Sequence, residues 1–194
     1  MDMEERLAVF EDANTLSFAG LGRFRVMTMD RKWTFNTTSL RRVRTAKTLI
    51  FAGNCNGVIG YGKGTGKNMR TAWRNAEIHL RQNLVAINLD SINTWPKSLS
   101  AKFGKHEIIM WARKRFDSWG SPIFAAMIQM AGIHHCKFKV LYEEPNPYNL
   151  VYCFMKLLTQ NTTPKILAEE RGEKLYDTIW ARRHGNQDLV YNIK

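Results

Sequence analysis

The clearest periodicity along the chain runs from Asn68 to Leu89. Met69, Trp73, Ala76, Leu80, Leu84 and Ile87 recur at steps of four, three, four, four and three residues, which predicts a helix with one apolar stripe facing a sheet. Just before it the pattern changes. Thr48-Leu-Ile-Phe-Ala52 is a short apolar run that predicts a buried strand, and Val58 to Tyr61 predicts its return. Gly53-Asn-Cys-Asn-Gly57 lies between them and reads as a turn, because Asn and Gly tolerate positive φ and cap their own backbone. The returning strand runs on through Gly60, Gly62, Gly64 and Gly66, although strand interiors normally avoid glycine. Something must approach that bare backbone closely, and lysines beside it suggest an anion.

The flanking regions carry weaker patterns. Met3, Leu7 and Phe10 have helical spacing, Gly20-Leu-Gly22 breaks the chain, and Phe24, Val26, Trp33 and Phe35 suggest strand pieces in an extension that packs on a neighbour. Asp90 to Ser100 reads as a linker. A second unit follows, with a strand at Glu107–Ala112, a basic loop at Arg113-Lys114-Arg115 and a half-buried strand over Cys136–Tyr142. Ser121-Pro122, Asn146-Pro147 and Thr163-Pro164 each pair an N-cap residue with proline at the first helical position, and Gly132 and Gly172 close the first and last of these helices. The order is β-β-α, then β-α-β-α-α: two α/β layers joined into one body. The expected divisions are an extension at 1–38, a first domain at 39–90, a second at 101–177 and a tail at 178–194.

Charge narrows the function. Asp2, Glu4, Glu5, Glu11 and Asp12 hold five of the 17 acidic residues, and beyond residue 12 there are 28 bases against 12 acids. Between Arg41 and Leu89 stand nine bases and one acid, Glu77. A polyanionic partner is expected, nucleic acid first and an anionic membrane second. On the predicted helix Lys67, Arg70, Arg74 and Arg81 lie within roughly 60° of arc, giving a basic edge beside the apolar stripe. No apolar run approaches the ~18 residues of a membrane span. The acidic N-terminus does not resemble a cleavable presequence. Cys55, Cys136 and Cys153 have no Cys-x-x-Cys spacing, which fits free thiols in a reducing compartment.

The enzyme readings fail on spacing. A phosphate-binding loop needs Gly, four residues, then Gly-Lys-Ser/Thr. Gly66-Lys67 supplies the second half, but Tyr61 stands where the first glycine belongs and Asn68 where the hydroxyl belongs. Gly-x-Gly-x-x-Gly fails as well: from Gly60 it ends on Thr65, and from Gly62 on Lys67. His134-His135-Cys136 has no second ligand pair at zinc-motif spacing. No catalytic residues, metal or cofactor are expected. What remains is binding: phosphate contacts from the basic helix edge and the glycine strand, with Tyr61 as a stacked or packed ring, on structured RNA in preference to operator DNA.

The residues resemble a known family. Gly53-Asn-Cys-Asn-Gly57, Gly60-Tyr-Gly62 and the basic helix that ends in Arg81-Gln-Asn83-Leu-Val resemble the signature of the universal small-subunit ribosomal protein five family. Three further stretches resemble its second half: Gly120-Ser-Pro122 through Ala131-Gly132-Ile133, Asn146-Pro-Tyr-Asn149-Leu-Val, and Ala168-Glu-Glu-Arg171-Gly172. The resemblance spans about Arg41 to Lys174. It implies an α+β or α/β two-layer fold: an N-terminal domain akin to double-stranded-RNA-binding domains and a small β-α-β-α C-terminal domain. It also implies a structural, non-enzymatic role in the small ribosomal subunit near the messenger entry and decoding region. The implied partners are ribosomal RNA and the neighbouring proteins four and eight, with messenger RNA nearby and no membrane.

By the same resemblance Arg41, Arg42 and Arg44 belong to a basic strand, Asn54 and Asn56 to the turn, and Lys63 and Lys67 to the glycine loop; Lys47 and Tyr61 join the expected RNA contacts from the residues alone. Arg70, Arg74, Arg81, Arg113, Lys114 and Arg115 complete the expected RNA contacts. The chain departs from the family pattern at Thr37-Thr-Ser39, at Cys55 and at Arg113–Trp119. That drift points to an organellar ribosome, first a mitochondrial one, with another organelle or a bacterial cytoplasm as the alternative. A free-standing RNA chaperone is the alternative function, and a phosphate-loop enzyme the remote one.

Overall fold

A computed structural model describes residues 14–18, 22–89, 95, 97–112, 122–134, 136–141 and 146–174. The Met3–Phe10 periodicity, the Arg113–Arg115 loop and Ser121 lie outside them. Residues up to Asn161 make one unit, and a second begins at Thr162. In the first, five strands form an antiparallel sheet in chain order: β1 (Asn14–Phe18), β2 (Gly22–Thr37), β3 (Arg42–Gly53), β4 (Val58–Gly66) and β5 (Leu84–Ala86). Helix α1 (Met69–Gln82) joins β4 to β5. A second antiparallel sheet holds β6 (Leu99–Phe103), β7 (His106–Ala112) and β8 (Cys136–Val140), with α2 (Pro122–Ala131) between β7 and β8 and α3 (Pro147–Thr159) after them.

The strand pieces expected before residue 39 are one continuous strand. β2 pairs with β3 from Arg25 opposite Gly53 to Thr37 opposite Arg42. Its alternation looks broken because the register slips between Thr28 and Asp30, a bulge at Met29. Phe24 and Val26 before the bulge, and Trp33 and Phe35 after it, therefore fall on the same side of the sheet.

Helix α1 is shorter than its periodicity predicts. Its cap at Asn83 donates its backbone N–H to His79 O and Leu80 O, and Gly60 and Ile59 of β4 then capture Leu84 and Val85 as β5. The stripe that buries is Ala72, Ala76 and Leu80, while Met69 and Trp73 sit half-buried at its margin. The expected linker is not solvated throughout: Trp95 is 0% exposed, and β6 starts at Leu99. Residues 106–112 pair with β6 through a turn at Gly104, φ 61°, so the second half opens with a hairpin.

Each face of the first sheet is covered. Phe24, Val26, Ile50 and Ala52 pack with Ala76 and Leu80 of α1 on one side. Leu49, Phe51 and Ile59 on the other join Phe124 and Met127 of α2, Phe154 of α3, and Ile108 and Phe138 of the second sheet. The rings of Phe124, Phe138 and Phe154 meet edge to face at 4.7 and 5.0 Å, the geometry aromatic quadrupoles favour.

The cap-plus-proline starts hold where they are described. Asn146 Oδ1 accepts from Tyr148 N at 3.1 Å to open α3. Gly132, φ 82°, follows α2. In the second unit α4 (Pro164–Arg171) opens with Thr163 Oγ1 accepting from Ile166 N and closes on Gly172 in the left-handed region.

Candidate nucleic-acid interface

The glycines of β4 are not bare toward solvent. Their Cα atoms meet α1. A Cβ on Gly62 would strike Ala76 O and lie 2.9 Å from Leu80 N; one on Gly64 would strike Ala72 O; one on Gly66 would lie 2.7 Å from Ala72 N. The expected close approach is real, but what approaches is the protein's own helix. Glycine on the strand and alanine on the helix bring the two backbones together.

That packing decides which side chains α1 presents. With Ala72, Ala76 and Leu80 inward, the opposite side carries Arg70 and Arg74, both exposed, and exposed Lys67 just precedes the helix. No acid stands in its first turn, so side chains leave the positive end of the helix dipole unneutralised. Arg81 differs: it is bound to Glu77 at 2.7 Å, one turn back. The start of the helix is fastened by Thr71 Oγ1, which accepts from Asn68 N at 3.1 Å and donates to Asn68 O at 2.8 Å.

Beyond the end of β4, strands β2 and β3 continue alone as an arm. Ala46 pairs with both Trp33 and Gly66, and past that row the α1 side of the arm carries Trp33, Phe35, Arg42 and Arg44. Arg42 lies over the Phe35 ring at 4.3 Å and Arg44 over Trp33 at 5.0 Å. Trp33 and Phe35 remain 38% and 54% exposed, so these stacked pairs cover no core. At the tip Thr38 Oγ1 donates to Arg41 O and accepts from Arg41 N, which leaves Arg41 and Leu40 exposed. No acidic residue occurs between Asp30 and Glu77. The helix side of the sheet thus carries exposed cations on both the arm and α1, with aromatic rings set beside those of the arm, the composition that suits phosphates and bases.

Other expected contacts lie elsewhere. Asn54 Oδ1 accepts from Asn56 N at 2.8 Å and Val58 N at 3.0 Å, so it builds the turn. The turn closes α2: Cys55 N donates to Met130 O and Gly57 N to Ala131 O, at 2.9 and 3.1 Å. Asn56 is exposed. Tyr61 faces away from α1 and meets Tyr152 of α3 edge-on at 5.6 Å. Lys47 and Lys63 share that second face, with Lys63 Nζ 4.5 Å from the Tyr152 ring.

Sequence reasoning passed over Arg31, Trp33 and Phe35, which share the α1 side of the arm with Arg42 and Arg44. Their alternation was visible, but which partner strand they face is set by pairing with β3.

The remaining chemistry is structural. Burial pushes the Cys136 thiol up to about 12 and raises that of Cys153. Among the described residues no three His, Cys, Asp or Glu group to hold a metal, and no helix is long and apolar enough to cross a membrane.

Comparison with known proteins divides the chain between its two sheets. The family model for the ribosomal protein S5 N-terminal domain matches residues 24–88, which hold α1 and the sheet from β2 to β5, and that for the S5 C-terminal domain matches residues 101–171. Small ribosomal subunit protein uS5 of Blochmanniella floridana is 30% identical over 139 residues, covering 69% of this chain and 76% of that protein. The uS5 proteins of Dinoroseobacter shibae and Nitrosococcus oceani are each 26% identical over 136 residues, 68% of this chain and 69% and 76% of theirs. With both of the family's domains present in order and a relative matched over two thirds of the chain, this protein belongs to the ribosomal protein S5 family.

Proposed function

We propose that the chain is a ribosomal RNA-binding constituent of a mitochondrial small subunit, seated on RNA through the α1 side of its first sheet. Membership of the family makes it a structural, non-enzymatic protein of the small ribosomal subunit. The observation that carries the binding mode is the cationic surface shared by Arg42 and Arg44 on the arm and Lys67, Arg70 and Arg74 at the helix. Arg41 at the tip and Arg113, Lys114 and Arg115 extend the proposed contacts; Arg81 lies on the same helix but is paired with Glu77, while Asn54 and Asn56 in the turn and Tyr61 on the opposite face lie apart from this surface. Proteins equivalent to four and eight are the proposed protein neighbours, with messenger RNA close by. The organellar assignment rests on drift: identity to the bacterial relatives is 26–30%, and Cys55 stands in the turn where the family signature has glycine.

The test has two parts. Replacing Arg70 and Arg74 by Ala should lower the slope of log affinity against log salt by about one each, while Arg81→Ala, already paired with Glu77, should change it less. An unchanged slope would move RNA binding off this helix. Sucrose gradients of mitochondrial lysate at high magnesium should show the chain with small subunits; recovery only in ribosome-free fractions would refute the assignment.

A further inference from the structure

On the face of the first sheet opposite α1, three lysines from three adjacent strands lie together. Lys32 of β2 is the direct cross-strand partner of Lys47 of β3; Lys47 pairs with Thr65, two residues along β4 from Lys63. Two tyrosines of α3, one turn apart, lie against this row. Lys32 Nζ is 4.8 Å from the centroid of Tyr148, and Lys63 Nζ is 4.5 Å from that of Tyr152. Asp30 answers one of the three charges, 3.2 Å from Lys32.

Like charges directly opposite each other destabilise a sheet. The Lys32 side chain is 46% exposed and Lys63 is exposed, so neither ammonium group fills the core. The ring faces instead steady the charges while leaving them open to a partner. A mutual repulsion kept in the free protein is relieved by an anion that spans it. Neighbouring strands are about 4.8 Å apart and Lys63 is set two residues, about 7 Å, along its strand, so the row extends about 12 Å, long for one carboxylate and suited to successive backbone phosphates.

We infer that Lys32, Lys47 and Lys63 form a second phosphate-binding site for RNA, on the far side of the arm from Arg42 and Arg44, so that the arm is held between two RNA segments. The inference rests on the reading of the chain as a ribosomal RNA binder. Phosphate suits the row better than an acidic peptide, because lysine binds as a point charge and the row has no guanidinium fork for carboxylates.

The experiment uses the full chain and an in vitro transcript of bacterial small-subunit ribosomal RNA. The triple change of Lys32, Lys47 and Lys63 to Gln should lower the salt slope by two to three and remove one protected RNA segment from a hydroxyl-radical footprint. The segment lost on replacing Arg42 and Arg44 by Ala should stay protected. Lys47→Gln alone should leave the free protein's Tm unchanged or raise it, since it removes a repulsion, and the triple change to Arg should keep the wild-type slope. A lowered Tm for Lys47→Gln would make the lysine structural and overturn the site. So would loss of the same segment by both sets of variants, or an unchanged slope in the triple Gln variant. Where that slope holds but capture of acidic small-subunit proteins is lost, the row belongs to a protein neighbour. In each of these cases the α1-side reading stands if its own variants still flatten the slope; it falls separately if they do not.

Discussion

Replacing Gly64 by Ala adds one carbon at the contact between β4 and α1. That carbon would fall within 3.0 Å of three backbone atoms, Ala72 O, Ala76 N and Ala76 Cα. A side chain could swing aside, but helix backbone cannot, so α1 must lift off the strand. Overpacking of this kind costs about 1–3 kcal/mol, and lifting the helix also loosens Ala76 and Leu80 from Ile50 and Ala52. Alanine restricts the unfolded chain and returns about 0.4–1 kcal/mol at best. The expected net loss is about 2 kcal/mol. For a chain of this size that lowers Tm by about 4–8 °C. Urea unfolding followed by tryptophan fluorescence, without RNA, measures it against Thr65→Ala. Thr65 is the exposed neighbour, and its change should stay within about 0.5 kcal/mol. Equal stability of the two variants would refute the backbone contact. Unchanged stability with lost RNA affinity would return Gly64 to the role its sequence first suggests, a bare surface for the ligand.

Two further outcomes follow from the same structure. Cys136, buried, holds its proton to about 12 against an ordinary value of 9.0; above pH 9 the unfolded chain releases that proton and the folded chain does not. Stability should therefore fall between about pH 9 and 12, by up to ~1.4 kcal/mol per pH unit, with Cys153 adding the same sign; Cys136→Ala should flatten the decline in a pH series of urea midpoints, and an unaltered decline would refute the cause. Asn54→Ala removes the acceptor of two backbone N–H groups. It should cost about 1–2 kcal/mol and speed hydrogen exchange at Cys55 and Gly57, whose amides close α2; unchanged exchange there would show that the turn holds without it.

Helix starts were legible because their chemistry is local. Asn146 and Thr163 each cap with their own oxygen within three residues, and glycine after α2 and α4 takes a conformation other residues resist. What depends on distant pairing was not legible. Leu84 and Ile87 continue the helical period, yet β4 captures Leu84. Leu99–Phe103 carries little strand pattern of its own and becomes β6 because β7 lies beside it. In the interface, the excess of bases between Arg41 and Leu89 was plain, but its sorting onto two faces was not: sidedness of Arg44 and Lys47 follows from β3 lying between β2 and β4. The glycines announced a close approach without naming the body that makes it.

The extra residue at Met29 makes handedness of the arm a matter of counting. Before it, even-numbered residues of β2 look toward α1; after it, odd-numbered ones do. Removing that one residue would exchange Trp33 and Phe35 for their lysine, threonine and asparagine neighbours without altering a single arm side chain. A protein that displays different chemistry on its two sides has thereby tied its identity to strand length modulo two: between the core of the sheet and the arm, a gain or loss of two residues keeps the sides, and a gain or loss of one exchanges them.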